Sequence, residues 1–281
     1  MFAHDVDVTP PNIKLSGRGP GFRQLGELAI GPNGDVYASS APNSWVLRFD
    51  GATGNYLGIV ASATTALDGP RGLAFGSDGS LYVSSARQGA ILRYTPDGQF
   101  LGRLTNFGLV KNPTGLSFGP DGNLYVADVG TGSINRLNPT TGELLGVFVQ
   151  TPLVSPQAIL FGADGDLYVA DQGKYSILRF DGTTGQYKST FVSGSYPYNP
   201  IAMTFADGYL FTTNLTGGAT GDGLAVFDET TGDSLGLVFN GDGNYWSAGL
   251  VVVPEPSAVM IVSAGVFALS LRRRLRGAHG A

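Results

Sequence analysis

Short runs of apolar and β-branched residues alternate with clusters of Gly, Pro, Asn and Asp along most of the chain. Between Thr114 and Val149 four such runs follow one another: GLSF, NLYVA, SINRL and ELLGVFV. A Gly-Pro-Asp-Gly turn, a glycine-rich loop and an Asn-Pro-Thr-Thr-Gly turn separate them. Apolar runs of this length bounded by turn residues are typical of β-strands. The segment therefore predicts a four-stranded antiparallel meander.

The same meander occurs five times in the chain. One glycine of its first turn recurs every 43 to 45 residues, flanked each time by the same two strands. These glycines are Gly34, Gly79, Gly122, Gly165 and Gly208. A four-stranded unit with a period near 43 residues is typical of a propeller blade, which becomes stable because its neighbours cover its apolar faces. A sixth repeat, starting at Ala248, matches only the first strand.

The sequence therefore predicts an all-β protein, a β-propeller of four-stranded blades, followed by a single C-terminal transmembrane helix. Six blades, with the two termini sharing the last, are one arrangement; five blades with a spare strand are the alternative. Sharing the last blade would place the N-terminal Asn12–Ser16 beside the C-terminal Ala248–Val253. The predicted divisions are a possible ring-closing segment at 1–25, the propeller at 26–253, a sorting signal with the transmembrane helix at 254–276, and a cytoplasmic tail at 277–281.

The composition excludes several kinds of chemistry. The chain has no cysteine, which rules out disulfides, thiol nucleophiles and cysteine-ligated metals. Its two histidines, His4 and His279, lie outside the repeats, so histidine triads, histidine general bases and ordinary histidine-ligated metals are not expected in the propeller. Residues 1–253 carry 13 basic and 21 acidic side chains. The resulting net charge of −8 argues against nucleic acid as a partner.

The repeat itself points to known proteins. Residues 113–128 read PTGLSFGPDGNLYVAD, and 70–85 and 156–171 are close to the same pattern. This pattern resembles the NHL-repeat propellers and the wider group containing gluconolactonase-type hydrolases and streptogramin lyases. The resemblance covers about 26–253 and implies the fold, but that group mixes enzymes with binding proteins. Streptogramin-lyase-like enzymes depend on histidine, and gluconolactonase-like enzymes hold a divalent cation with carboxylates and Asn; no matching Glu is found in the repeat columns.

The bottom face of the predicted ring carries the turns between the first and second and between the third and fourth strands. Turns such as Asp50–Gly54, Asp181–Gly185 and Asp228–Gly232 share the pattern Asp-x-x-Thr-Gly or a close relative. Aspartate accepts hydrogen bonds from backbone N–H groups two residues ahead and glycine accepts a positive φ, so the pattern favours hairpin turns. A calcium loop is the competing interpretation, but the alternating carboxylates and terminal Glu of such a loop are missing.

A second column of short polar residues ends the second strand of each repeat. Its members are Ser40, Ser85, Asp128, Asp171 and Asn214. One interpretation is that each residue caps the loop that follows it. The other is a metal site, in which Asp128, Asp171 and Asn214 converge on a cation such as calcium near the axis.

Top-face loops differ between repeats, unlike the bottom turns. They comprise the connections from the second to the third strand and the links between blades. A surface that varies among otherwise equal repeats is where a specific partner would be recognised. Aromatic rings beside polar groups suit a sugar or polymer, with simple loop packing as the alternative. The candidate ligand-binding residues there are Arg71, Gln157, Tyr196, Tyr198 and Trp246.

The tail combines three features in order. A Pro-Glu-Pro sequence is followed by fifteen uncharged residues, SAVMIVSAGVFALSL, and then by an arginine cluster. This arrangement resembles the PEP-CTERM sorting signal of Gram-negative bacteria, which implies recognition by a membrane exosortase in exopolysaccharide-producing cells; an ordinary membrane anchor is the alternative. Positive charge after the apolar segment predicts a cytoplasmic C-terminus and an external propeller. The signal residues are Pro254, Glu255, Pro256, Arg272, Arg273 and Arg274.

The predicted function is that of an exported, surface-sorted propeller whose precursor is anchored in the inner membrane. Its expected partners are an exosortase and the membrane at the tail, and a polysaccharide or protein on the top face. A binding or extracellular-matrix module without catalytic residues is the favoured role. The alternative is a divalent-cation-dependent hydrolase or lyase of the gluconolactonase or streptogramin-lyase group. The first residues lack the basic and apolar regions of a secretory signal, so we expect the true start upstream of Met1 or a trimmed chain.

Overall fold

A computed structural model describes residues 25–63, 67–106, 108–193, 200–206, 208–214, 223–240, 247–253 and 258–263. Within them the chain forms five four-stranded antiparallel sheets, each with its strands in sequence order. The first comprises β1 (Leu25–Ile30), β2 (Val36–Ser40), β3 (Trp45–Phe49) and β4 (Tyr56–Ala61). The second comprises β5 (Pro70–Phe75), β6 (Leu81–Ser85), β7 (Ala90–Tyr94) and β8 (Phe100–Arg103). The third comprises β9 (Pro113–Phe118), β10 (Leu124–Asp128), β11 (Ser133–Leu137) and β12 (Leu144–Val149).

The remaining sheets follow the same plan. The fourth comprises β13 (Pro156–Phe161), β14 (Leu167–Asp171), β15 (Ser176–Phe180) and β16 (Tyr187–Val192). The fifth comprises β17 (Pro200–Ala206), β18 (Tyr209–Asn214), β19 (Gly223–Asp228) and β20 (Ser234–Asn240). A two-stranded sheet of β21 (Ser247–Val253) and β22 (Ala258–Ser263) ends the described chain. Single turns of 3-10 helix occur at Ala86–Gln88 and Gln172–Lys174.

The first strands of successive sheets form the innermost ring. β1, β5, β9, β13 and β17 contact one another in that order, and β21 contacts both β17 and β1. The structure is therefore a β-propeller of five complete blades, as one of the two predicted arrangements has it, and β21 fills the place between the fifth and first blades. The expected contribution of Asn12–Ser16 lies outside the described residues.

The hydrophobic core lies between the blades. The second strand of each of the first four blades carries a buried tyrosine that packs edge-on against a phenylalanine in the first strand of the next blade. The pairs are Tyr37–Phe75, Tyr82–Phe118, Tyr125–Phe161 and Tyr168–Phe205, with ring centroids 4.9 to 5.3 Å apart. Such pairs contribute about 0.5–1.5 kcal/mol each beyond the area they bury. A blade thus depends on its neighbour, as the repeat predicted.

Hydroxyl groups add polar ties between neighbouring blades. Ser39 Oγ donates a hydrogen bond to the carbonyl oxygen of Arg71 at 2.6 Å, and Ser84 Oγ donates to that of Thr114 at 2.8 Å. Thr114 Oγ1 in turn donates to the carbonyl oxygen of Pro156 at 2.7 Å. These bonds fix the starts of the inner strands β5, β9 and β13, where the top face meets the centre of the ring.

The C-terminal element differs from the expectation in one segment. Ala258–Ser263 was expected to begin a transmembrane helix, whereas the structure describes it as β22, paired antiparallel with β21. Periodicity cannot separate a short apolar helix from a buried strand, and the β-branched Val259, Ile261 and Val262 favour the strand when an unpaired edge is adjacent. The part of the chain that the structure describes contains no helix with the length and hydrophobicity needed to span a bilayer.

Candidate functional site

Bottom-face turns are closed by their own side chains. Asp50 Oδ1 accepts hydrogen bonds from the backbone N–H of Ala52 at 3.1 Å and of Thr53 at 2.6 Å. Asp181 and Asp228 make the corresponding bonds in their own turns. These bonds lower the pKa of all three carboxyls, through the Thr hydroxyl first for Asp50 and through backbone N–H groups first for the other two. The hairpin interpretation is what the geometry shows.

An arginine, an aspartate and a tyrosine recur beside the first turn of the first four blades. In the fourth blade Arg179 binds Asp164 at 2.7 Å and Asp166 at 2.6 Å, and its guanidinium lies 5.7 Å from the centre of the Tyr168 ring. Arg48, Arg93 and Arg136 make the equivalent ion pairs with the aspartates of their own turns. These groups form a repeated structural layer on the bottom face.

The polar column at the end of the second strands ties down the links between blades. Asp128 is fully buried, and its carboxylate accepts hydrogen bonds from the backbone N–H of Lys111, Asn112 and Gly130 at 2.8 to 3.0 Å. Asp171 does the same for the N–H groups of Val154 and Ser155, at 3.0 and 2.8 Å. Ser85 Oγ accepts from the N–H of Asp68 at 2.8 Å. Ser40 Oγ accepts from Asn43 Nδ2 at 3.1 Å.

This geometry bears on the cation expected from the resemblance to gluconolactonases. Both oxygens of Asp128 and of Asp171 already accept backbone hydrogen bonds, and the side chain of Asn214 is outside the described set. Among the described residues, no three His, Asp or Glu side chains lie together as a metal site would need. The residues present therefore do not fit a divalent cation with several oxygen ligands, and we derive no chemistry through one.

Two predicted ligand-binding residues meet across the central channel. Arg71 is the second residue of β5 and Gln157 holds the same position in β13, two blades away. Arg71 Nη1 donates to Gln157 Oε1 at 3.1 Å, and Gln157 Nε2 donates to Ser155 Oγ and Gln172 Oε1. The surrounding protein, and then the nearby Arg87 guanidinium, lower the pKa of Arg71. Arg71 and Gln157, both predicted as ligand-binding residues, therefore bond to each other across the mouth of the channel.

A pocket opens beside Arg71 on the top face. Its volume is about 320 Å³, and its charged lining consists of Arg71, Arg87 and Lys111, with Asn112 next to them. Arg87 Nη1 binds Asp68 Oδ1 at 3.1 Å, and both of these side chains are exposed. The pocket lies over the backbone of Lys111 and Asn112, which the buried Asp128 holds in place.

Glu27 is a site residue that sequence reasoning missed. It lies in β1, and its carboxylate accepts hydrogen bonds from the backbone N–H of Leu73, at 3.2 Å, and of Leu116, in the inner strands of the next two blades. Burial raises the pKa of Glu27 to about 8, although these two bonds oppose the change. The sequence does carry one signal: at the position of Glu27 in the aligned repeats, the other four repeats have small residues. These are Gly72, Gly115, Ala158 and Ala202.

One aromatic side chain on the top face is held in an unusual conformation. Tyr175 has φ of +51° and is 54% exposed. The equivalent positions in the second and third blades are Gly89 and Gly132, which adopt this left-handed conformation without steric cost. The predicted Tyr196, Tyr198 and Trp246 lie outside the described residues, as do the signal residues from Pro254 onward that were named above.

Comparison with known families identifies the tail. The PEP-CTERM protein-sorting motif matches residues 252–274. The C-terminus carries a PEP-CTERM signal. This signal marks a chain for export and exosortase-mediated, membrane-anchored sorting, and it confirms the resemblance seen in the sequence. No curated protein is significantly similar to the chain.

Solved structures similar to this chain are propellers with different roles. A gluconolactonase from Xanthomonas campestris gives a TM-score of 0.72 at 19% identity, covering 89% of this chain and 86% of that one. Virginiamycin B lyase from Staphylococcus aureus gives 0.65 at 19% identity, covering 88% and 80%. A chain of a nidogen/laminin complex gives 0.65 at 18% identity, covering 76% and 79%. At these identities the likeness shows the fold alone, and it confirms the predicted propeller.

Proposed function

We propose that the protein is an exported binding module that an exosortase sorts through its PEP-CTERM tail to the cell surface or the extracellular matrix. The observation that carries the export is the motif at 252–274. The tail tethers the precursor to the inner membrane with the propeller outside, and an exosortase then processes it. The arginines stay in the cytoplasm, because moving them across hydrocarbon costs about 2.5–3.5 kcal/mol each in the milder estimates.

The ligand-binding part of the proposal concerns the top face. Its support is the channel mouth, where Arg71 and Gln157 meet across the ring and a pocket opens beside them. Bottom turns are saturated by their own hydrogen bonds, whereas the mouth presents donors to solvent. An extended polysaccharide is the ligand we propose, because a ring of unlike loops around a polar mouth offers several points of contact.

The sorting proposal is tested by replacing Pro254, Glu255 and Pro256 with alanine. The full chain and the variant are expressed behind a working signal peptide in a strain with an active exosortase, and the cells are fractionated. We expect the variant to reach the membrane, because the apolar run and the arginines are unchanged, and to remain unprocessed there. Equal release of both proteins, or retention of both uncut, would show that the tail is only an anchor.

The binding proposal is tested with the purified full chain and a panel of neutral and acidic polysaccharides. We expect saturable binding that is weakened by Gln157→Leu, which removes the acceptor that orients Arg71. The matched control is Gln99→Leu; Gln99 lies in a bottom turn, where its backbone N–H is bound by Thr95 Oγ1. Absence of binding to every member of the panel would contradict the proposal.

A second candidate function, that of a hydrolase or a lyase, is favoured by one observation. A carboxyl with its pKa raised to about 8, as in Glu27, can exchange a proton near neutral pH, which is what a general acid or base requires. The test is a lactone-hydrolysis assay on the full chain with and without calcium. Turnover that is lost in Glu27→Gln would support the enzyme and displace the binding module.

A further inference from the structure

We propose that the pocket lined by Arg71, Arg87 and Lys111 binds a carboxylate group carried by the ligand. The inference rests on the proposed binding function and deepens it, since it names the chemical group that the top face recognises. It assigns the propeller a preference for acidic over neutral sugars.

The charge of the pocket is the first argument. Three cationic side chains line it and no acidic side chain does, although residues 1–253 as a whole have a net charge of −8. Asp68, the nearest ion-pair partner, binds Arg87 from outside the lining. A positive cavity on an otherwise acidic surface concentrates anions locally.

Free donors are the second argument. Arg71 spends one of its donors on Gln157, and no hydrogen bond or ion pair joins the Lys111 ammonium to any described residue. A guanidinium carries five N–H donors in a planar fork that matches the two oxygens of a carboxylate. The lining offers several charge-assisted donors, and its one side-chain acceptor is the amide of Asn112.

The third argument is that the Arg71 guanidinium and the backbone of Lys111 are held in place before any ligand binds. Gln157 is itself held by Ser155 and Gln172, so its Oε1 faces Arg71. Lys111 projects from a backbone that the buried Asp128 ties down through its N–H. Preorganisation of this kind reduces the ordering cost of binding.

Size limits the ligand to one sugar residue at a time. The pocket volume of about 320 Å³ lies at the lower end of the range of roughly 300–1,000 Å³ found for ligand sites. A single uronic acid unit fits this space while the rest of a chain crosses the channel mouth. Phosphate shares this anionic chemistry, and the probes below distinguish it from a carboxylate.

The experiment measures binding of three probes to the full chain by calorimetry. These are trigalacturonate, maltotriose as its neutral counterpart of equal length, and inorganic phosphate. We expect trigalacturonate to bind at least about tenfold more tightly than maltotriose, since a charge-assisted hydrogen bond contributes roughly that factor. The affinity for trigalacturonate should fall as the salt concentration rises, and by more than the affinity for maltotriose, because the pocket is open to solvent.

Substitutions locate the effect. We expect Lys111→Met and Arg71→Met each to weaken trigalacturonate binding about tenfold, and Arg71→Lys to weaken it less because the charge remains. Arg136→Met is the matched control: it makes the same change of charge on the bottom face, beside Asp121, and should leave affinity unchanged. Lys111 is exposed, so its variant keeps the test valid even if a change at Arg71 impairs folding.

The outcomes separate this inference from the proposed function. If maltotriose binds as tightly as trigalacturonate and the pocket variants bind normally, the carboxylate site is wrong while the binding module stands. If only phosphate binds and Lys111→Met abolishes it, the pocket takes phosphate and the carboxylate assignment is overturned. If none of the three probes binds, the inference fails, and the binding module fails as well only if the wider polysaccharide panel is also negative.

Discussion

On the bottom face, the first four blades place the same arginine and tyrosine at equivalent positions beside an aspartate of the first turn, whereas on the top face their equivalent positions carry unlike side chains. The inner-strand position at the channel mouth is Arg71 in the second blade, Thr114 in the third and Gln157 in the fourth. The bottom groups bond to one another, whereas at the top the exposed Arg71 and the half-buried Gln157 bond across two blades, and Thr114 is buried. Repetition therefore marks the side of the ring that holds the blades together, and variation marks the side that is free to recognise a ligand.

The fifth blade supports this view from the opposite direction. It has Phe211 and Val226 where the other blades have the tyrosine and the arginine. Its bottom turn therefore lacks the ion pair, although Asp228 still closes its second turn. The polar layer is thus a feature of the first four blades, while the five-residue turn closed by Asp or Asn is found in the first, third, fourth and fifth blades; the second blade has the shorter turn at Thr95–Gly98.

Removing a bottom-face glycine should have the largest effect. Gly142 has φ of +73°, and a Cβ there would lie 1.8 Å from the carbonyl oxygen of Leu104 in the preceding blade. Gly142→Ala should lower the free energy of unfolding by about 2–5 kcal/mol, from the left-handed conformation and the overlap together. Urea unfolding measures it.

Gly122→Ala is the matched control for that change. Gly122 has nearly the same φ, +75°, with nothing within 4 Å of its missing Cβ. It should therefore cost only the conformational part, about 1–2 kcal/mol. Equal losses for the two variants would mean that close contact between blades at the bottom face does not limit stability.

The channel supplies the second test. Because the pKa of Glu27 is raised from 4.5 to about 8 in the folded protein, the folded state keeps a proton that the unfolded state has lost between these values. Its contribution to stability is complete below pH 4.5 and is lost as the pH rises through 8. Glu27→Gln should remove about 3–5 kcal/mol of this pH dependence.

The measurement is the difference in unfolding free energy between wild type and Glu27→Gln at several pH values. Taking the difference cancels the carboxyls whose pKa is lowered, such as Asp121 and Asp166, which act at lower pH. A difference that stays constant from pH 5 to pH 9 would show that Glu27 ionises normally.

The third test asks whether the top face has a structural layer beneath its variable surface. Asp128→Ala would leave three backbone N–H groups without their acceptor in a buried position, at a cost of about 2–3 kcal/mol. Asp121→Ala on the bottom face removes a half-exposed carboxylate and should cost about 1 kcal/mol or less. Thermal unfolding compares the two. A larger loss of stability for Asp121→Ala than for Asp128→Ala would contradict the view that the buried Asp128 is a structural tie beneath the top face.

The smallest effect is expected from Tyr175→Gly, and its sign is opposite. A bulky residue at φ of +51° costs about 1–2 kcal/mol relative to glycine, less the extra freedom glycine has in the unfolded chain. The variant should therefore be more stable by about 0.5–1 kcal/mol. Chemical denaturation of both proteins tests this, and a destabilised variant would mean that the exposed ring makes stabilising contacts.

Local features of this fold could be predicted from the sequence, and features that depend on ring closure could not. The turns around Asp50 and Asp181 depend only on residues within five positions of each other, so the repeated sequence motif was enough to predict them. The contact between Arg71 and Gln157 joins residues 86 positions apart, and it exists only because two blades face each other across a channel. The sequence was enough to place both residues among the candidates on the top face, but it did not predict the hydrogen bond between them.

Glu27 and β22 were missed for different physical reasons. The carboxylate of Glu27 bonds to backbone groups of two other blades, and backbone donors leave no trace in the sequence. Ala258–Ser263 was assigned to a helix because its hydrophobicity suits a membrane segment, yet the same β-branched residues suit a strand beside β21. Hydrophobicity alone does not decide between these two environments.

The overlap of β22 with the sorting signal has a consequence for the order of events during export. Ala258–Ser263 belongs to the motif that spans 252–274, and the same six residues pair with the strand that closes the ring. They cannot occupy a bilayer and a sheet at once, so under the proposed sorting this segment has two competing destinations. If the membrane held it, the edge of β21 that pairs with β22 would be uncovered, and release of the segment would let it pair there again.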